Sequence, residues 1–440
     1  MKRIKTRAWA ALILAAALLF GTGVYVWRFA VNGRYWVGFS ANESVYQNGA
    51  LAVGVVTDRN GVVLADVKDG ARVYADGAET RIACLHAVGD AAGNIGTGAL
   101  SAFSDRLSGY SLFSGASGKG GSVTLSIDAE LNRCAWEALS GRSGAVLVSN
   151  YETGEVLCMV SSPSYDPNVG FDAEDPAYEG VYLNRALSAV YTPGSVFKLL
   201  TIAAAIERVD DLYTRTFFCD GSREVNGHIL TCSGVHGSQT IEQALANSCN
   251  CAFAELSLEL GAKTLEQYAD KLGFTRQHSL SGVYTAIGSI DAGEEGSAEL
   301  AWSGIGQAAD VICPAALLRY VSAIAGDGVL REPSLVLGES GGRTRLLSAD
   351  TAEKIKAMMN YNVVSSYGEW RFPGLTKLCA KTGTAEVGDG TSHAWFAGFL
   401  DDPERPYAFV VVIEHGGGGL SAASPVANQV LQKLVEENNK

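Results

Sequence analysis

The order of the apolar segments along the chain limits the folds that the region after residue 122 can adopt. Two strand-like runs, at 145–149 and 156–161, come first and flank a hairpin signal. Helix-like apolar segments fill the middle, and three strand-like runs follow, of which the last spans 408–413. This order predicts one sheet assembled from both ends of the region, with helices packed on its faces.

The N-terminus carries the signals of a membrane anchor. Basic residues precede a run at 8–26, about twenty residues without a charge, which is long enough to cross a bilayer core of roughly 30 Å as a helix. The basic flank predicts that this end stays in the cytoplasm and that the rest lies outside. A cleaved signal peptide is the alternative, but the run is long for one. We therefore expect a cytoplasmic tail at 1–7 and a retained transmembrane helix at 8–28.

The remaining chain divides into two regions. The first contains a short apolar hairpin around Asn60-Gly61, which is a strong hairpin turn signal, and it ends in a stretch rich in Gly, Ala and Ser. A strand-like run and a helix N-cap at Asp128 then open the second region. We expect a small N-terminal domain at 29–121 and a larger domain at 122–440.

Composition excludes some classes of function. Hydrophobic residues make up 47% and charged residues 18% of the 440 residues, so the chain can bury a large core. The formal net charge is −13, and no run of Lys or Arg occurs beyond the N-terminus. A nucleic-acid partner is therefore not expected, because it would require a basic face.

Nine cysteines are spread along the chain, and an odd number leaves at least one thiol unpaired. Cys219 and Cys232 flank a hairpin-like stretch and could form a disulfide, whereas Cys249 and Cys251 are too close for easy bridging. No set of Cys and His has the linear spacing of a zinc site. We expect most cysteines to be small buried hydrophobic residues, and we expect no metal and no organic cofactor.

The first motif with chemical potential is Ser-Val-Phe-Lys at 195–198. A Pro-Gly pair precedes it, which places Ser195 in the first turn of an apolar helix and Lys198 one turn later on the same face. A serine hydroxyl needs a base, and a lysine becomes one when burial or a second cation lowers its pKa. The helix N-terminus could also stabilise an oxyanion. An exposed Ser/Lys pair is the alternative.

A second motif, Ser248-Cys249-Asn250, interrupts two helical runs at 241–246 and 252–260. In such a loop, Ser248 and Asn250 would point the same way. The hydroxyl could move a proton between a leaving group and a lysine, and the amide could hold a substrate carbonyl. An ordinary helix cap is the alternative.

The third motif, Lys381-Thr382-Gly383-Thr384, comes at the end of an apolar strand at 375–381. Lys381 could supply the second cation or attract a substrate carboxylate. Gly383 would leave room for a substrate backbone along the strand edge, and an N–H near Thr384 could form half of an oxyanion hole. A solvated lysine at a strand end is the alternative.

The three motifs follow the order Ser-x-x-Lys, Ser-x-Asn and Lys-Thr-Gly, a set found in penicillin-binding proteins and class A β-lactamases, where the middle motif is Ser-Asp-Asn. The sequence resembles this superfamily, and most closely the class B penicillin-binding transpeptidases. The resemblance runs from about residue 52 to the C-terminus and includes Asn184-Arg185-Ala186 and Gly304-Ile305-Gly306-Gln307. Cys249 departs from the Asp of the β-lactamase motif. The N-terminal region is short for the class, and the length leaves no room for a glycosyltransferase domain.

The resemblance implies an α/β fold of the α+β type, with an antiparallel sheet flanked by helices. It implies a peptidoglycan D,D-transpeptidase in the bacterial membrane, with its catalytic domain outside the cell. The implied partners are peptidoglycan stem peptides, β-lactams as covalent inhibitors, and a membrane glycosyltransferase. The implied catalytic residues are Ser195, Lys198, Ser248 and Lys381, and the implied substrate-binding residues are Asn250, Thr382, Gly383 and Thr384.

Two alternatives stay open from the sequence. A D,D-carboxypeptidase or serine β-lactamase would use the same residues but transfer the acyl group to water. A β-lactam sensor or a division scaffold would have no catalytic role. The sensor would need a cytoplasmic output, but only about seven residues lie inside under the expected topology.

Overall fold

A computed structural model describes residues 2–37, 39, 45–47, 50–113, 115–116, 120–339 and 341–437. One long helix, α1 (Lys2–Val37), opens the chain. Its segment Arg3–Gly33 is long and apolar enough to cross a membrane, and the rest of the protein does not cover an 18-residue apolar stretch within it. The predicted anchor at 8–28 lies inside this helix. The helix continues past residue 28, into the stretch assigned from sequence to the N-terminal domain.

A small sheet organises the region after α1. The elements of this region are β1 (Tyr46–Gln47), β2 (Ala50–Leu51), β3 (Val55–Thr57), β4 (Val63–Lys68), β5 (Ala71–Tyr74), α2 (Ala78–Val88), α3 (Ala99–Ala102), α4 (Ser104–Leu107), β6 (Tyr110–Ser111), β7 (Gly115–Ala116) and β8 (Ser122–Thr124). Four of the strands form a sheet in the order β5, β4, β3, β8. The antiparallel pair β3 and β4 is the predicted hairpin, and Gly61 stands between them at φ +83°.

The boundary predicted at residue 122 falls inside this small sheet. Strand β8 begins at Ser122 and runs parallel to β3, so it closes the N-terminal sheet. The chain then crosses to the larger part of the molecule, where Ser126 N–H donates to the carbonyl of Leu335 at 2.9 Å. Residues 122–126 therefore connect the small N-terminal sheet directly to the larger part of the molecule.

Helices fill the middle of the chain, as the apolar pattern predicts. After β8 come α5 (Ala129–Leu139), β9 (Gly144–Asn150), β10 (Val156–Ser162), α6 (Lys198–Arg208), β11 (Phe217–Cys219), β12 (Ser222–Val225), β13 (His228–Thr231), β14 (Gly237–Gln239), α7 (Ile241–Ala246), α8 (Asn250–Leu260) and α9 (Ala262–Leu272). They are followed by β15 (Ser279–Leu280), β16 (Val283–Tyr284), α10 (Ala298–Ser303), α11 (Pro314–Ala325), β17 (Val329–Arg331), β18 (Arg343–Arg345), α12 (Ala349–Asn362), β19 (Leu378–Val387), β20 (Thr391–Leu400), β21 (Tyr407–Ile413) and α13 (Ser424–Glu437).

The central sheet has five antiparallel strands in the order β10, β9, β21, β20, β19. Its first two strands come from the early hairpin and its last three from the end of the chain, which confirms the predicted assembly. Alternate residues of each strand pack on opposite faces. Helix α11 packs on one face, and α6 and α8 belong to the same hydrophobic core beyond it, whereas α5 and α13 pack on the other face.

Strand β19 lies at the edge of the central sheet, and β20 is its one neighbour among the described residues. The sequence predicts that this strand ends at Lys381, but its ladder with β20 continues to Val387. The third motif therefore lies within an edge strand and not after it. An edge strand presents unpaired backbone groups, so a peptide can add along it.

Candidate active site

The nucleophile candidate lies in a short 3₁₀ turn, Gly194–Phe197, that leads directly into α6. The sequence predicts the first turn of an α-helix for Ser195, and the structure corrects this to the turn before it. Gly194 has φ +54°, and a Cβ there would lie 2.6 Å from the carbonyl oxygen of Thr384. Only glycine allows this close approach. It brings the turn of Ser195 against β19.

Lys198 stands on the first position of α6 and is completely buried. Its amine lies 3.2 Å from Ser195 Oγ, 2.8 Å from Asn250 Oδ1, 2.5 Å from the carbonyl oxygen of Ser248 and 3.3 Å from Ser248 Oγ. Burial lowers the pKa of Lys198 to about 8. About a tenth of the lysine is then neutral at pH 7, which makes it a usable base for Ser195.

The second motif forms the turn between α7 and α8. Ser248 adopts a left-handed conformation at φ +52°, which turns the chain sharply before Asn250 begins α8. Both Ser248 and Asn250 contact the amine of Lys198. The predicted common orientation of these two side chains is therefore what the structure shows.

The third motif brings a second amine to the same hydroxyl. Lys381 is completely buried, and its Nζ donates to Ser248 Oγ at 3.0 Å and to the carbonyl of Thr382 at 2.9 Å. Burial, and then the charge of Lys198, lower the pKa of Lys381 well below its usual value. Repulsion between the two amines therefore contributes to the lowered pKa of Lys381, whereas burial lowers the pKa of Lys198.

The remaining residues of the third motif line an open groove. Thr384 is exposed, Thr382 is half-buried, and Tyr367 OH accepts from the N–H of Thr382 at 3.1 Å. A Cβ on Gly383 would lie 3.0 Å from the carbonyl oxygen of Pro193. The structure thus adds a reason for glycine at this position, namely the packing of β19 against the turn of the nucleophile.

An arginine that sequence reasoning does not single out lies beside these threonines. Arg371, Thr382 and Thr384 line a cavity of about 260 Å³ together with residues of the segment 418–421. The Arg371 guanidinium stacks 4.5 Å above the ring of Trp370. It places a positive charge where a substrate carboxylate could bind to the threonine hydroxyls. No motif marks this residue in the sequence.

The fold brings the four predicted catalytic side chains into one connected group. Ser195 contacts Lys198, Lys198 contacts Ser248, and Ser248 contacts Lys381. A serine with a buried amine as its base, a second hydroxyl between two amines, and an open strand edge together define an acyl-transferring serine enzyme of the Ser-Lys type.

The family of the penicillin binding protein transpeptidase domain matches residues 144–432. This match covers more than half of the 440 residues, and the chain therefore belongs to that family. All three motifs lie within the matched residues.

Individual relatives agree with this membership. The chain is 28% identical over 373 residues to the peptidoglycan D,D-transpeptidase PbpA of Mycolicibacterium smegmatis, which covers 74% of this chain and 75% of that protein. It is similar to penicillin-binding protein A from M. tuberculosis in its ceftriaxone acyl-enzyme complex, with a TM-score of 0.73, 25% identity, and coverage of 86% and 97% of the two chains. A D,D-transpeptidase domain from Eggerthella lenta gives a TM-score of 0.74 at 27% identity, with coverage of 87% and 98%.

Proposed function

We propose that this chain is a peptidoglycan D,D-transpeptidase that β-lactams acylate at Ser195. The observation that carries the proposal is the connected group of Ser195, Lys198, Ser248 and Lys381 beside an open strand edge. Membership of the transpeptidase family and the similarity to a solved ceftriaxone acyl-enzyme support the same chemistry.

In the acylation step, neutral Lys198 removes the proton of Ser195, and Oγ attacks the penultimate D-Ala carbonyl of a D-Ala-D-Ala stem peptide. Backbone N–H groups of Ser195 and Thr384 stabilise the oxyanion. The C–N bond then breaks, and the terminal D-Ala leaves as an amine that takes a proton from Ser248. Ser248 regains a proton from the lysine amines that contact it.

In the second step, the amine of another stem peptide attacks the acyl-serine. The lysine and serine groups accept its proton, the new amide forms, and Ser195 regains its hydrogen. Asn250 orients the acyl amide, because its side chain carries an N–H beyond the one that donates to the carbonyl of Thr231. A β-lactam acylates Ser195 in the same way.

The terminal carboxylate of the donor binds at the groove beside β19. Thr382 and Thr384 supply hydroxyl donors at this groove, while the buried amine of Lys381 contacts Ser248. Gly383 keeps the strand close to the turn of the nucleophile. Arg371 extends this site by a guanidinium that can pair with a carboxylate.

The proposed position of the enzyme in the cell rests on its N-terminal helix. The basic flank of α1 supports a cytoplasmic position for residues 1–7 and a membrane anchor at 8–28, with the small domain at 29–121 and the transpeptidase domain at 122–440 outside. The helix that can span a membrane supports this arrangement. A membrane glycosyltransferase is the partner that would supply the glycan strands.

Labelling with a fluorescent penicillin tests the proposal. The wild-type protein should form a stable fluorescent band, and Ser195→Ala should form none, while the exposed serine variant Ser188→Ala should label normally. An unlabelled wild type, or a labelled Ser195→Ala variant, would refute the assignment. Rapid steady hydrolysis of a chromogenic cephalosporin would instead indicate a β-lactamase.

A further inference from the structure

Four side chains of the kind that bind metal ions meet directly behind the turn of Ser248. They are Cys219, Cys232, His236 and Cys249. Their sulfur and ring-nitrogen atoms all lie within 4.8 Å of one another, and the first and last of them are buried. This cluster lies beside the proposed active site but contains none of the groups that the mechanism uses.

The chemistry of the cluster matches one class of ion. Three thiols and one imidazole are a ligand set of tetrahedral structural zinc sites, with Zn–S distances of about 2.3 Å and sulfur atoms therefore about 3.8 Å apart. The Sγ atoms of Cys232 and Cys249 lie 3.9 Å apart, and Cys232 Sγ lies 3.6 Å from His236 Nδ1. All nine cysteines are free thiols, so the disulfide between Cys219 and Cys232 that the sequence allows is not formed.

The fold, and not the linear spacing, assembles these ligands. Cys219 ends β11, and its pairing with β14 brings it next to the loop that carries His236. Cys232 directly follows β13, and Cys249 directly precedes α8. Two small antiparallel ribbons, β11–β14 and β12–β13, therefore converge on the start of one helix.

Hydrogen bonds connect the cluster to the second motif. The N–H of Asn250 donates to Cys232 Sγ at 3.2 Å, and Asn250 Nδ2 donates to the carbonyl of Thr231 at 2.9 Å. Backbone N–H groups that donate to a ligand sulfur are a recurring outer contact of metal sites. Asn250 is thus held by the same ribbon that carries Cys232.

We propose that Cys219, Cys232, His236 and Cys249 bind one zinc ion. The ion ties the two ribbons to the start of α8 and so fixes Ser248 and Asn250 against Lys198. Four protein ligands leave no open position, so the ion has a structural and not a catalytic role. The nearby thiol of Cys251 is buried but lies outside the four-atom set, and it is not a ligand.

Metal analysis of the purified full-length protein tests the site without reference to activity. Inductively coupled plasma mass spectrometry after dialysis should find about one zinc per chain. Cys232→Ser should lose the metal, and Cys251→Ser and Cys313→Ser should keep it. A zinc-supplemented wild type that holds none, or a Cys251→Ser variant that loses it while Cys232→Ser keeps it, would overturn the assignment.

Cobalt substitution of the wild-type protein tests the site even if a variant fails to fold. Wild-type protein loaded with Co²⁺ should show the visible bands of tetrahedral cobalt and thiolate-to-cobalt charge transfer, and His236→Cys should keep the tetrahedral bands with stronger charge transfer. A cobalt spectrum without thiolate bands, or an octahedral one, would contradict the site.

The effect on the second motif is a separate readout that rests on the proposed function. Removal of zinc with a chelator should lower the melting temperature and slow acylation by penicillin about tenfold or more, and added zinc should restore both. If the metal is present but its removal leaves acylation unchanged, the positioning role is wrong while the site stands. If acylation never occurs at all, the proposed function fails and the metal analysis still decides the site.

Discussion

Ser248 Oγ is the atom at which the two buried lysines meet, with Lys198 Nζ 3.3 Å away and Lys381 Nζ 3.0 Å away. Two charged amines in this position repel each other, and both lose the solvation that water gives a cation. The hydroxyl can accept from one amine and donate to the other only when one amine is neutral. The arrangement therefore favours a neutral lysine before substrate arrives.

The pH dependence of acylation should report the titration of Lys198. Burial lowers the pKa of Lys198 to about 8, so the amine is protonated below that pH and neutral above it. The second-order rate constant for acylation by benzylpenicillin should rise about tenfold per pH unit below about 8 and level off above it. Stopped-flow measurement gives the profile. A rate constant that is flat or falling between about pH 6 and 8 would exclude Lys198 as the base.

Arg371 should contribute to recognition of the donor carboxylate. Because its side chain lines the groove with Thr382 and Thr384, Arg371→Ala should raise KM for a D-Ala-D-Ala peptide about tenfold and change kcat little. Arg371→Lys should recover part of the loss, since it keeps the charge but not the bidentate geometry.

The control for that experiment is Arg343→Ala, an exposed arginine that lines a different cavity with Tyr151 and Lys356. It should leave KM unchanged. Equal KM values for the Arg371→Ala variant and the wild type would remove Arg371 from the site.

Among single residues, the sequence predicts the chemical groups of the site but not their environment. Their order along the chain identifies Ser195, Lys198, Ser248 and Lys381 as candidates. It does not show that both lysines are buried, because burial depends on helices and strands distant in sequence. Arg371 gives no signal, since it reaches the groove from the segment between α12 and β19, where no motif marks it.

At the level of elements, the contact between the 3₁₀ turn Gly194–Phe197 and strand β19 determines the geometry of the site. Gly194 N–H donates to the carbonyl of Gly306 at 2.8 Å, and Trp395 Nε1 on β20 donates to the carbonyl of Thr192 at 3.0 Å. These bonds hold the turn against the sheet from two sides. The position of Ser195 relative to Thr384 therefore depends on backbone packing.

Gly194→Ala should separate the turn from the strand. The Cβ would lie 2.6 Å from the Thr384 carbonyl oxygen at a left-handed φ, so the variant should lose about 2–4 kcal/mol of unfolding free energy and most of its acylation rate. Denaturant unfolding and penicillin labelling measure the two effects.

Gly170→Ala is the matched control, because Gly170 also has a positive φ of +82° but an added Cβ would meet nothing within 4 Å. It should lose only about 1 kcal/mol, the cost of the left-handed conformation, and label normally. Equal losses for the two variants would show that the contact with β19 does not matter.

Element boundaries show where sequence patterns fail. Helix α11 begins at Pro314, a residue whose fixed backbone conformation suits the first turn of a helix. Strand β19 extends beyond its prediction, since Gly383 is a weak strand signal that the ladder with β20 overrides. The ribbons β11–β14 and β12–β13 have strands of three or four residues, too short for a periodic signal.

At the scale of the whole molecule, the strand order of the central sheet places the motifs together. The early hairpin and the last three strands share one sheet, and the helical middle segment folds over one of its faces. The order of apolar runs predicts this architecture, but contacts such as the pairing of β8 with β3 cannot be read from it. They depend on which edge of the small sheet remains available after its hairpin forms.

The proposed orientation predicts which parts of the full-length chain are accessible from outside the cell. In cells with a permeabilised wall and an intact membrane, protease should remove a C-terminal tag and leave an N-terminal tag protected, because α1 separates the two. Immunoblotting measures both tags. Protection of the C-terminal tag until the membrane is lysed would reverse the orientation, and release of the mature chain from α1 would indicate a cleaved signal sequence.

The most direct test of the central claim is to identify the residue that a β-lactam modifies. The full-length protein, incubated with benzylpenicillin and analysed by intact-mass and peptide-mapping mass spectrometry, should gain one penicilloyl group, located on Ser195. An adduct on another residue, or a folded protein that gains no mass at saturating penicillin, would contradict the account.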